Sequence, residues 1–233
     1  MPAPRLEQAE LIKTATRLGQ RIRSRFPDAH LNEVARQLQT LTEQHAVRSR
    51  SIRRPNWGLR LVSAALLAAG LATLLLLFAS VRFRHDGYWQ IGEAMQTLEA
   101  GLSMLFFLGA GAVLASSLEL RTKRRRCLEA LHELRAIAHL VDLHQLSKLP
   151  AEGDAEPQVG PTETTLTTPR LIVYLDFCSE MLALIGKVAA LYVQEFPDEK
   201  ATGAVDDIED LTNGLSRKIW QKIMVLASPR SSR

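Results

Sequence analysis

Four polar side chains between positions 132 and 142 are the residues of this chain best placed to do chemistry. His132, Arg135, His139 and Asp142 stand at i, i+3, i+7 and i+10, and an α-helix gathers them within an arc of about 80°. Leu131 and Ala138 flank the arc on one side, Ala136 and Leu143 on the other. A polar stripe on an otherwise apolar helix has to find hydrogen-bond partners when the helix packs. Two histidines with a carboxylate one turn away have the chemistry to hold a divalent metal or to respond to pH near neutrality. Against a metal, Arg135 puts a fixed positive charge between them, and i,i+7 is wider than the usual i,i+3 or i,i+4 clamp. No metal or other cofactor is therefore expected. The preferred reading is a polar seam bonded to Asp176, Glu180 or the acids of the last helix. A sensing or interaction role is the sharper alternative.

A second set lies near an apolar run. Glu93 and Glu99 follow a short turn that carries Arg82 and Arg84. Acids close to a membrane span are expensive and tend to pair with a base or line a pathway. An interfacial ion pair that closes a helical hairpin accounts for them. The sharper alternative is a ring of Glu99 carboxylates at the outer mouth of a cation-selective oligomeric pore. Elsewhere the chain has no phosphate-binding loop, no Cys-x-x-Cys, no His-Glu-x-x-His and no Gly-x-Ser-x-Gly. No enzyme activity is expected. Cys127 and Cys178 stand in apolar helical surroundings and read as core residues.

The elements that position these residues are all helical. Leu61–Val81 and Ala100–Leu118 are free of charge, bounded by Arg60 and Arg82 and by Glu99 and Glu119. At 1.5 Å per residue they reach ~31 Å and ~28 Å, about the thickness of a bilayer's hydrocarbon core. Arg48, Arg50, Arg53, Arg54 and Arg60 precede the first run, and Arg121, Lys123, Arg124, Arg125 and Arg126 follow the second, whereas the turn holds only Arg82 and Arg84. Basic residues stay on the cytoplasmic side. Both termini are thus expected in the cytoplasm of a multi-pass protein of a bacterial inner (plasma) membrane. Arg53, Arg54, Arg60, Arg124, Arg125 and Arg126 are expected to meet lipid headgroups. Ala64, Ala68 and Ala72 on one run, with Gly101, Gly109, Ala112 and Ser116 on the other, invite close helix packing.

Outside the runs, Leu11, Ala15, Leu18 and Ile22 predict a helix over 4–25, and Leu31, Val34, Leu38 and Leu41 predict another that starts at an Asp28 cap and runs to about Val47. Apolar periodicity continues from the second run to Pro150. It resumes over 169–196, starting at a Thr168-Pro169 cap, and over 204–227. The expected fold is an all-α integral membrane protein. Its parts are an amphipathic helix pair (1–57), a transmembrane hairpin (58–120), a helix continuing from the second span (121–149), a flexible acidic linker (150–168) and a helical hairpin (169–233) packing on 121–149 as a three-helix bundle.

Net charge is +4, but residues 127–233 hold sixteen Asp and Glu against ten Lys and Arg. The basic residues hug the apolar runs without interleaved aromatics, so nucleic acid is not an expected partner. The expected partners are the lipid bilayer, further copies of the chain and a cytoplasmic protein. Together these features predict a membrane-anchored helical scaffold or regulatory protein. The alternatives are a pore subunit gated by its cytoplasmic helices and, third, a metal- or pH-sensing membrane protein.

Overall fold

The computed structural model describes residues 6–53, 55, 57–83, 91–146 and 166–228, and every regular element among them is a helix. In chain order these are α1 (Gln8–Arg25), α2 (Leu31–Arg53), α3 (Trp57–Phe83), α4 (Ile91–Leu146), α5 (Thr168–Glu195) and α6 (Glu199–Ala227). They form two compact units, Met1–Arg53 with Arg126–Arg233, and Arg54–Arg125. The linker expected over 150–168 falls almost wholly outside the described residues.

In the first unit α5 is the central helix. Fourteen of its 28 residues are buried, and they span an arc of about 200° on the helix. No single neighbour covers so wide a face. Here α1, α2, α6 and the C-terminal part of α4 contribute to one continuous core with it, through Leu18 and Ile22, Leu31 and Leu38, Ile208 and Ile219, and Leu134 and Val141. The three-helix bundle expected after the apolar runs is thus part of a larger one. The N-terminal pair belongs to the same unit, because α5 would otherwise leave much of its apolar surface wet. Polar bridges fix the neighbours. Arg21 of α1 donates to both carboxylate oxygens of Glu180, at 2.6 and 2.9 Å. Its guanidinium also lies 5.1 Å from the centre of the Phe177 ring. Arg135 of α4 donates to Asp207 of α6 at 3.1 Å.

Helix boundaries differ from expectation at three N-termini, where the residue that ends the preceding turn is not the expected cap. α2 begins at Leu31 rather than after an Asp28 cap, and the turn before it is held by Asn32, whose amide donates to the Pro27 carbonyl at 2.8 Å. α5 is preceded by Thr167, one residue before the expected cap, and the Thr167 side chain makes no cap hydrogen bond. α6 begins at Glu199 instead of 204 because Asp198 caps it, its carboxylate accepting from the Ala201 amide at 3.2 Å. Gly186 brings α5 and α6 close, since a β-carbon there would stand 3.2 Å from the Thr212 hydroxyl.

In the second unit α3 and the first part of α4 run side by side. They touch at Gly70, where a β-carbon would overlap the Leu108 side chain. The Ala64, Ala68 and Ala72 ladder is exposed and takes no part in that contact. One described stretch, Leu98–Gln145, is long and apolar enough to cross a membrane, and the described apolar part of α3, Arg60–Leu76, is shorter. The expected two-span hairpin therefore has support for one span by length and composition. Leu66, Leu75, Phe106 and Phe107 of this unit are more than half exposed. Arg60, one of the residues expected at lipid headgroups, donates to Glu119 at 3.4 Å, and Lys123 approaches the same carboxylate at 2.9 Å.

Candidate functional site

The buried face of α4 in the bundle is set by Cys127, Leu131, Leu134, Ala138 and Val141, each at most 2 % exposed. On the helix these lie roughly opposite His132. Of the four residues predicted as a seam, His132 and His139 therefore turn away from the core, and Arg135 and Asp142 stand at its edge. His132 and His139 are exposed, while Arg135 and Asp142 are half-buried. Arg135 reaches an acid of the last helix, Asp207, as the seam reading expected of one such partner. Asp142 accepts from Gln145 within its own helix. Glu180 is taken by Arg21. The stripe is a surface feature, and among the described residues no group of His, Cys, Asp and Glu comes together that could hold a metal ion. Of the proposed pore-mouth residues, Glu99 is exposed; the side chains of Glu93, Arg82 and Arg84 lie outside those described. So do Arg53 and Arg54 of the headgroup set, whereas Arg124 is half-buried and Arg125 and Arg126 are exposed.

The concentration of buried polar chemistry is elsewhere, between α2 and α5. The inward face of α2 opens apolar, with Leu31, Val34 and Leu38, and then turns polar at Thr42, His45 and Ser49, all fully buried. Thr42 satisfies its hydroxyl on the Leu38 carbonyl at 2.7 Å, and Ser49 accepts from Gln8 of α1 at 3.2 Å. His45 has no such local partner. Its Nδ1 stands 2.5 Å from the hydroxyl of Tyr192, itself fully buried on α5. The two rings meet edge to face, with centres 5.7 Å apart.

The other ring nitrogen, Nε2, is buried without a hydrogen-bond partner and lies 3.7 Å from a Glu133 carboxylate oxygen. That carboxylate is already engaged, because Arg48 donates to both of its oxygens at 2.9 Å. Burial is the main influence on His45 and pushes its pKa down to about 4; Glu133 opposes the shift and Arg48 adds to it. The 3.7 Å approach to Glu133 is thus no ion pair at neutral pH. The ring is neutral and can donate from one nitrogen only. A proton on Nε2 faces the carboxylate, whereas a lone pair there would be repelled by it. Nδ1 is then the acceptor and Tyr192 the donor. Burial likewise raises the Tyr192 phenol, keeping it protonated for this role.

Both thiols are inert. Cys127 is pushed up to about 11, by burial and then by the Asp198 charge. Burial raises Cys178 to about 12 against a small opposing effect of Lys222. Neither supplies thiolate near neutral pH. The cluster can bind α2 to α5 through a directional hydrogen bond and can register acid. It holds no activated nucleophile. No protein-family model matches the chain, and neither does any curated protein or solved structure.

Proposed function

We propose that the protein is a membrane-anchored helical scaffold, whose bundle docks a partner or associates with further copies of the chain. The observation that carries this reading is the contrast between the two units. In the bundle most large apolar side chains are gathered into one core. Among the described residues of Arg54–Arg125 most large apolar side chains are exposed, Phe106 and Phe107 each by 72 %. In water that arrangement would be unstable, and in lipid it is the low-energy one. The anchor is read as two spans with both termini cytoplasmic, from the basic residues that bound the apolar runs. A bacterial inner (plasma) membrane fits the same charge pattern. No enzyme activity is assigned, because the buried thiols and His45 lack the properties of a nucleophile and base.

The pore alternative rests on the exposed Glu99 carboxylate. Where α3 and α4 face each other, the groove of about 450 Å³ is lined by Leu66, Leu67, Met104, Phe107 and Leu108. The one polar side chain in that lining is the Ser63 hydroxyl, too little to replace an ion's hydration shell, so the scaffold is the stronger reading. The test is extraction of membranes at alkaline pH, with protease protection of tags at both ends. The full chain should stay in the pellet with both tags open to cytoplasmic protease. Release of the chain into the supernatant would reject the anchor. Cation currents from purified protein that change with Glu99→Gln would favour the pore.

A further inference from the structure

The last turns of α6 carry an exposed apolar cluster in a one-signed electrostatic setting. Trp220 is 53 %, Met224 65 % and Val225 74 % exposed. Trp220 and Met224 lie within about 40° on the helix and Val225 about 100° further round, and large apolar groups exposed along one side of a helix mark a surface that something covers. The charges along α6 are sorted. Asp206, Asp207, Glu209 and Asp210 occupy its first half, whereas from Leu211 to Ala227 the only charged residues are Arg217, Lys218 and Lys222. On the helix Arg217 falls within about 60° of Trp220 and Met224, and Lys218 within about 20° of Val225. Arg217 and Lys218 are exposed, and among the described residues neither pairs with a carboxylate.

We infer that this face of α6 is a peripheral docking surface for an anionic bilayer. Trp220, Met224 and Val225 enter the boundary between headgroups and acyl chains. Arg217 and Lys218 take lipid phosphates beside them. Tryptophan is well suited to that boundary, and a helix with basic and bulky apolar residues on adjoining faces is the usual interfacial binder. A two-fold interface centred on this patch would press Arg217 and Lys218 against their own equivalents, whereas the phosphates of an anionic bilayer complement both. The surface is additional to the transmembrane anchor and does not depend on it.

The test uses the full chain with Trp57→Phe and Trp89→Phe, which leaves Trp220 as the sole tryptophan of the three. It is placed in lipid nanodiscs whose acyl chains are brominated just below the headgroup. With phosphatidylserine in the discs, Trp220 emission should shift to the blue and be quenched. Salt at ~0.5 M, which shortens electrostatic reach to a few ångströms, should reverse much of the effect. Each basic residue near such a surface is worth about fivefold in affinity. Arg217→Glu with Lys218→Glu should therefore lower the ratio of docked to undocked Trp220, read from the quenching, well over tenfold, while helix content stays unchanged. Equal emission in neutral and anionic discs would overturn the proposal. So would a Trp220 shift that follows protein concentration in lipid-free detergent, which would make a second copy the occupant. Flotation with neutral discs reads the span anchor separately. A chain that fails to float there, yet is quenched by anionic lipid, keeps this surface and loses the anchor.

Discussion

His45 makes the stability of the bundle fall with acid in a window that can be worked out from its surroundings. Its folded-state pKa is about 4, depressed by burial from an ordinary 6.5. Above pH 6.5 folded and unfolded chains both carry the neutral ring, and its contribution to stability is fully present. Between pH 6.5 and 4 the unfolded chain takes up a proton that the folded chain refuses. Stability then falls by ~1.4 kcal/mol for each pH unit, or ~3 kcal/mol over the whole window. His45 is fully buried, so solvent screening does little to reduce that figure. The perturbation is His45→Gln, which keeps an acceptor for the Tyr192 hydroxyl and cannot titrate. The assay is denaturant unfolding in detergent, followed by circular dichroism from pH 7.5 to 4. Carboxylates contribute to both curves, so the informative quantity is the difference between wild type and variant. At pH 7 the variant should be the less stable, by ~1 kcal/mol for an imperfect hydrogen bond. By pH 4 it should be the more stable of the two. A constant difference across the window would refute the reasoning. If wild type gains on the variant as pH falls, Glu133 outweighs burial and the ring is charged in the fold.

Tyr192→Phe removes the hydroxyl and leaves both nitrogens of a buried imidazole without partners; unfolding should show a loss of ~1–3 kcal/mol, strongly non-additive with His45→Gln. Gly186→Leu should push α5 from α6 at the Thr212 contact, with overpacking of ~1–3 kcal/mol seen as a lowered denaturant midpoint. Cys127 and Cys178 should resist a thiol reagent at pH 8 in the folded chain and react together once denaturant opens the core. Arg135→Ala should change stability by less than ~1 kcal/mol in the same unfolding assay, since its pair with Asp207 is substantially exposed.

Much of the helical layout was legible because apolar residues mark it. The stripe Leu11, Ala15, Leu18, Ile22 is the buried face of α1, and the broad apolar face of 169–196 is the buried face of α5. The candidate site was hidden for the same reason. On α2 the inward stripe continues past Leu38 through Thr42, His45 and Ser49 to Ile52. A search for apolar periodicity loses the trail where the stripe turns polar. The usable signal was the 3-4 spacing itself, which places His45 and Ser49 on the line of Leu31 and Leu38 whatever their polarity. His132 and His139 misled in the opposite sense. Their shared arc is real, but Leu134, Ala138 and Val141 define the inward face on the other side of the helix. Asp198, directly after Pro197, carries the sequence signal of a cap, and it starts α6 five residues before the apolar periodicity does.

The placement of the reactive residue types bears directly on function. A catalytic group must be accessible, chemically poised and oriented by a neighbour. The two thiols fail on access and on pKa. His45 is oriented by Tyr192 but is buried and neutral. His132 and His139 are accessible and carry no hydrogen bond or ion pair among the described residues to orient them. None of these groups meets all three requirements: the thiols and His45 lack access, and His132 and His139 lack an orienting partner among the described residues. The Arg48–Glu133 pair beside His45 makes the same point. Instead of activating the ring, the carboxylate is tied down by a guanidinium on both oxygens. Its remaining influence on His45 is too weak to overcome burial. Such a cluster locks α2 against α5 in one register, as a buried polar group does when it has a single available partner. Reactive groups that are buried or unoriented favour work done by surfaces, and that is why the exposed end of α6 is a better place to look for function than the histidines.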